Sequence, residues 1–177
     1  VYMPKDNGKE HYVDGTLSMD DYEVCALSGM YNAEGEGSID ADMTLSRTPL
    51  LLLNGFVPDR LIHFKGYAQG EVKVKGSLSR PDVNGELYFD SAYVASDPYG
   101  VQMRLCDDQL TINNSRLQFE NFQMFARNGN ALTLYGYFDF ANFDRMNTYL
   151  RMRADNYLLI DAKENARSEA FGKAYVN

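Results

Sequence analysis

The stretch GYAQGEVKVKGSLSRPDVNGELYFD, residues 66–90, alternates apolar and polar side chains with a period of two. Val72, Val74 and Leu78 alternate with Lys73, Lys75 and Ser77. Further on, Val83, Leu87 and Phe89 share one parity, and Asn84, Glu86, Tyr88 and Asp90 the other. Successive side chains of a strand point to opposite faces, so this pattern fits a strand with one wet and one apolar face and does not fit a helix. Arg80-Pro81-Asp82 predicts the tight turn between the two strands. The apolar face must be covered by a sheet, a helix or a ligand, and each implies a different function.

The same alternation recurs along the chain. Ile39, Ala41, Met43 and Leu45 form one set; Val101, Met103 and Leu105 another. Leu110 and Ile112 run into Asn113-Asn114, and Leu117 and Phe119 follow. Asn128-Gly129-Asn130 is a hairpin signal. Beyond it Leu132, Leu134, Phe138 and Phe140 share a parity with Gly136, opposite Thr133, Tyr135, Tyr137 and Asp139. Leu150, Met152 and Ala154 close the series, opposite Arg151, Arg153 and Asp155. Many short strands with turn residues between them predict an all-β fold. One stretch is apolar without alternation, from Pro49 through Leu50–Leu53 to Pro58. Thr48 as N-cap and Pro49 as first helical residue predict one short helix over residues 49–57. It either covers one end of the β core or rests on a membrane surface, although it lacks the flanking basic cluster usual in interfacial helices.

Residues 37–49 resemble residues 70–81: each runs from glycine through an alternating strand to Ser-Arg near a proline, 33 residues apart. This similarity suggests stacked hairpins in a repeating β architecture. With 177 residues the chain is long enough for one sizeable core. It begins at Val1 and reaches a further strand-like run over Phe171–Val176, and is read as one fragment, residues 1–177, of a longer protein. The net charge of −8 argues against a nucleic-acid partner.

Constellations that carry chemistry are missing. His11 and His63 stand apart from both cysteines and from any metal-ligand spacing. Asp20-Asp21 and Asp107-Asp108 are adjacent pairs, which a strand would point to opposite faces, so solvated turns suit them better than a shared acid–base site. Asp40 and Asp42 share a face but lack the further oxygens a calcium site needs. Asn113-Asn114-Ser115 is a sequon of the kind chance supplies. Cys25 and Cys106 are read as single packed thiols, with a disulfide as the alternative. No cofactor, metal site or enzymatic activity is expected.

Residues Gly66–Leu78, followed by Pro81, Val83, Gly85 and Leu87, resemble the repeat of the AsmA-like family in its TamB-type, C-terminal β region. Its pattern is glycine, an alternating strand, Gly-Ser, a proline and a second glycine-centred strand. Asp97-Pro98-Tyr99-Gly100-Val101 resembles the family's next turn, Leu132–Phe140 its late hairpin, and Leu50–Pro58 its short apolar helix. The resemblance covers residues 35–177; residues 1–34 match less well. It implies an elongated, curved β-sheet trough, a taco-like or solenoid-like fold with one short amphipathic helix. It further implies a periplasmic location in a Gram-negative cell, with the full-length protein anchored in the inner membrane by a segment outside this fragment. The partners implied are phospholipid acyl chains and an outer-membrane barrel of the Omp85 family, and the activity is non-enzymatic carriage of phospholipid between the membranes in support of outer-membrane protein assembly.

The expected lining of the trough is the apolar parity of each strand: Val72, Val74, Leu78, Val83, Leu87, Phe89, Val101, Met103, Leu105, Leu110, Ile112, Leu117, Phe119, Leu132, Leu134, Phe138, Phe140, Leu150 and Met152. Alternation alone suits a closed β-sandwich as well, in which two such faces cover each other. Two other functions stay open: a module that templates outer-membrane strands by adding them to a sheet edge, and a structural β domain of the cell envelope.

Overall fold

The computed structural model describes residues 9–55, 62–142, 144–163 and 172–177. Among them are twelve strands: β1 Glu10–Met19, β2 Tyr22–Asn32, β3 Ser38–Pro49, β4 His63–Ser77, β5 Arg80–Ser96, β6 Val101–Leu105, β7 Leu110–Asn113, β8 Arg116–Phe125, β9 Ala131–Asp139, β10 Asn147–Ala154, β11 Tyr157–Ala162 and β12 Gly172–Val176. The fold is all-β. The first ten strands make one antiparallel sheet in sequence order, with β6 and β7 sharing the lane between β5 and β8. The remaining pair, β11 and β12, forms a separate hairpin. Among the described residues no ladder joins β1 to β10, so the large sheet as described has two unpaired edges and does not close into a barrel. A two-stranded second sheet is too small to make a sandwich.

Local sequence explains the turns. Asp20-Asp21 and Asn114-Ser115 both adopt positive φ, 49° and 66° in the first pair and 49° and 57° in the second. That is the hand of two-residue turn that matches strand twist, and Asp and Asn tolerate it best. Asn128-Gly129-Asn130 turns the chain between β8 and β9, with the Gly129 and Ala126 backbones closing it. Ser115 is almost fully buried. Its hydroxyl donates to the Pro81 carbonyl at 2.6 Å and accepts from the Val83 amide at 2.9 Å, tying this turn to the start of β5.

Four expectations are corrected. The turn after β4 is Leu78-Ser79 and not Arg80-Pro81-Asp82; Pro81 lies inside β5, opposite Gly76. Leu78, expected to line the trough, is therefore a turn residue and is half exposed. The apolar interruption is a short 3-10 helix, Leu50–Gly55, with Pro49 as the last residue of β3. Thr48 does not cap that helix, because its hydroxyl bonds the Val24 carbonyl; Asn54 secures the helix instead, through two bonds to the Phe64 backbone. Phe56 and Val57 of the expected helix, and Phe171 of the last strand, lie outside the described residues. Finally, the two similar segments are neighbouring strands that run in opposite directions, Ile39 beside Gly76 and Met43 beside Val72. Their likeness reflects two strands meeting the same demand on one face; it is not a hairpin translated along an axis.

β-Bulges cross the sheet at one level. Ser46 and Arg47 together oppose one residue of β4, Ser91 and Ala92 oppose Gly66, and Asn121 is extra between pairs Glu120–Tyr135 and Phe122–Leu134. Arg47, Ser91 and Asn121 have φ of 61°, 51° and 61°. Arg47 bonds Asp90, and the Phe89 ring meets the Phe122 ring edge-on at 6.3 Å, so the bulges adjoin in space. The lane of β6 and β7 is interrupted between Leu105 and Leu110, at the same level. A bulge bends its strand and shifts the side-chain parity by one. Together they form a transverse crease.

The β11–β12 hairpin packs through Tyr157 and Leu158 onto Met103, Ala126 and Leu132. Tyr157 is fully buried and its hydroxyl has no partner among the described residues. Burial holds the phenol up to about 12. An orphaned buried hydroxyl carries its desolvation cost without a compensating bond. Tyr157→Phe is therefore expected to stabilise the fold by about 1 kcal/mol in urea denaturation. The wild type should lose stability as pH rises from 10 towards about 12, because only the unfolded phenol ionises in that window. Tyr157→Phe should lack that part of the alkaline loss.

Candidate functional site

The candidate site is the inner, apolar face of the ten-stranded sheet. Paired residues share a face, so the ladders define rows across it. One row runs Gly15, Leu27, Met43, Val72, Gly85, Ile112, Leu117, Phe138. The next runs Leu17, Cys25, Leu45, Gly70, Leu87, Leu110, and resumes as Phe119, Gly136, Leu150. Neither row contains a charged residue. Large side chains converge on the inside of a curved sheet, and the glycines give them room. At Gly70 and Gly136 the backbone also has φ of 149° and 126°, and a Cβ would lie 2.0 Å from a carbonyl oxygen of the next strand. Close approach and positive φ both demand glycine there.

Burial on this face comes from neighbouring strands of the sheet and, at one end, from the β11–β12 hairpin, whose Tyr157 and Leu158 cover Met103, Ala126 and Leu132. Cys106, Leu110, Phe122 and Leu134 form a buried cluster, extended by Leu87, Phe89, Leu105, Leu117, Phe119 and Leu132. Val72, Val83 and Ile112 form a second, with Met43, Val74 and Phe140. These contacts join nearby strands of a single sheet, across its concave face. Near the crease Leu50 of the 3-10 helix adds cover over Ala68 and Ala92. Leu51, Leu52 and Leu53 stay exposed.

Apart from Leu78 in its turn, the expected lining residues fall into three groups. Val72, Val83, Leu110, Ile112 and Leu134 are buried on the inner face. Val74, Leu87, Phe89, Val101, Met103, Leu105, Leu117, Phe119, Leu132, Phe138 and Phe140 are partly buried. Leu150 and Met152 keep the inner parity, opposite Gly136 and Leu134, but are 40% and 64% exposed because β10 is an edge strand. Sequence reasoning missed several inner positions beyond the crease, notably Phe64, Ala92, Phe122 and Met124, although it reached Met103, Leu105, Leu132 and Leu134. The available signal was a polar residue of turn type inside each strand, Ser91 and Asn121.

The outer face is polar. Tyr88 and Tyr135 are exposed there. Cross-strand ion pairs join Lys73 to Asp42 at 2.9 Å, Lys75 to Asp40 at 3.0 Å and Arg116 to Asp139 at 2.8 Å. The bond from Arg116 lowers the Asp139 carboxyl below its usual range, and Asp42 raises the Lys73 ammonium. Asp20-Asp21 and Asp107-Asp108 are exposed, the former in a turn. His11 stacks on Tyr31, and His63 faces Asp97 at 4.0 Å. Cys25 and Cys106 are separate thiols, and burial raises that of Cys106. Among the described residues no three His, Cys, Asp or Glu side chains cluster as metal ligands. No described helix is long and apolar enough to cross a membrane.

Comparison with protein-family models, with curated proteins and with solved structures found no match to this chain.

Proposed function

We propose that the inner face is a trough for phospholipid acyl chains, and that the chain is a non-enzymatic segment of a longer periplasmic protein carrying lipid between inner and outer membranes. The observation that carries this reading is a broad apolar face, with inner rows free of charge, on a sheet whose edges do not meet among the described residues. Apolar surface left in water costs about 25 cal/mol per Å². Each acyl methylene withdrawn from water onto such a surface gains about 0.8 kcal/mol. The inner-membrane anchor, the outer-membrane barrel partner of the Omp85 type and a role in outer-membrane protein assembly rest on the resemblance of residues 35–177 to the AsmA-like family. Lipid capture by a photoreactive residue on the inner face, and not on the outer, tests the reading.

A second reading has support from edge strand β10. Its eight residues are nearly all exposed, and among the described residues nothing pairs with its far side. An unprotected edge can take an added strand, as in templating of outer-membrane strands. Crosslinking to protein rather than lipid, at either parity, favours this alternative. Capture of neither favours a structural envelope domain.

A further inference from the structure

The outer face is divided by charge at the crease. Below it, acids and bases mix, and Lys73, Lys75 and Arg116 are paired with aspartates as described. Above it, the outward strand positions of β4, β5, β6, β8 and β9 hold no aspartate or glutamate, in a chain of net charge −8. One ladder row there reads Lys65, Tyr93, Arg104, Phe125. Arg127 folds over this row from the β8–β9 turn, its Nε donating to the Gln102 side chain at 2.9 Å. The Arg104 guanidinium lies 4.5 Å from the centre of the Phe125 ring. Between the two arginines is a small groove of about 230 Å³, lined by Tyr93, Gln102, Phe125 and Gly129 and by no carboxylate.

Both guanidiniums are thus held by the protein without being neutralised. Arg104 is oriented by an aromatic face, which leaves its N–H edge outward. Arg127 spends Nε on a neutral amide and keeps its terminal amino groups. Among the described residues neither forms an ion pair. Two fixed, unpaired forks on one small groove match a tetrahedral oxyanion, because arginine donates in a planar fork suited to phosphate. We infer that this groove binds a phosphate group, carried by a lipid headgroup or by a soluble phosphate ester. It lies on the face opposite the proposed trough and does not depend on that reading.

The test compares the wild-type chain with Arg104→Gln/Arg127→Gln and with Lys73→Gln/Lys75→Gln, which removes the same charge from the paired bases below the crease. Each is titrated with glycerophosphoglycerol by calorimetry, and floated with phosphatidylcholine vesicles with and without anionic phosphatidylglycerol. Saturable binding by wild type in either arm, reduced at least fivefold by the arginine variant and less than twofold by the lysine variant, is expected. Binding to the soluble ester identifies a free phosphate ligand; binding to anionic vesicles alone identifies a lipid headgroup. No binding in either arm, or equal losses in the two variants, overturns the site. Unchanged thermal midpoints keep unfolding out of the comparison.

Discussion

Leu134→Arg should unfold the chain or abolish lipid capture, while its neighbour Tyr135→Arg should be mild. Leu134 is 7% exposed and packs with Cys106, Leu110 and Phe122. An arginine there buries a charge without a partner and overfills a packed cluster, which costs at least about 4 kcal/mol. Tyr135 points the other way and is 40% exposed. Its hydroxyl bonds Asn121 at 2.8 Å, which steadies the bulge, so its replacement should cost about 1 kcal/mol. Urea denaturation measures both changes, and equal losses would contradict the assigned parity. Should Leu134→Arg remain folded, it should still fail to hold lipid, because the charge stands on the trough floor.

Gly136→Ala should be nearly as damaging, although it adds one methyl group. The new Cβ would lie 2.0 Å from the Tyr149 carbonyl oxygen of β10, and the backbone at φ 126° does not suit a side chain. The ladder between β9 and β10 must open to relieve the contact. A loss of about 3 kcal/mol or more is expected, which for a chain of this size lowers the thermal midpoint by at least about 6 °C. Gly15→Ala is the control: it lies in an inner row, with nothing within 4 Å of the added carbon. It should be neutral or stabilise by up to about 1 kcal/mol, through the unfolded chain. Equal effects of the two alanines would show that the inner rows are not crowded at Gly136.

Much of this fold was legible because period-two alternation is a direct print of strand geometry. Val72, Val83, Ile112 and Leu134 are inner-face residues on that rule alone, and Tyr88 and Tyr135 are outer. Alternation fails where the ladder gains a residue. Past Ser91 and Asn121 the inward parity switches, so Ala92 and Phe122 could not be reached by extending the rows of Leu87 and Phe119. Leu78 was misplaced for a related reason. A proline signal was read as the turn, whereas Pro81 can sit within β5 opposite Gly76, and the two-residue turn came just before it. The 3-10 form of Leu50–Gly55 was not legible either, because Thr48 bonds a distant carbonyl on β2 and not its own helix. Which strands stand at the edges of the described sheet, β1 and β10, depends on pairings far apart in sequence, which no local pattern encodes. The arginine groove escaped sequence reading too, since Gln102, Arg104 and Arg127 meet only through the β6–β8 ladder and the following turn.

The central claim is tested most directly by parity. A photo-crosslinking amino acid is placed in turn at Leu87, Phe138, Tyr88 and Tyr137 of the chain in cells, and the adducts are identified by mass spectrometry. Leu87 and Phe138 lie in the two inner rows, while Tyr88 and Tyr137 differ from them by one residue and therefore face outward. Phospholipid adducts at Leu87 and Phe138, with none at Tyr88 and Tyr137, are the predicted result. Lipid captured equally at Leu87 and Tyr88, or at none of the four positions, would contradict a lipid-carrying trough.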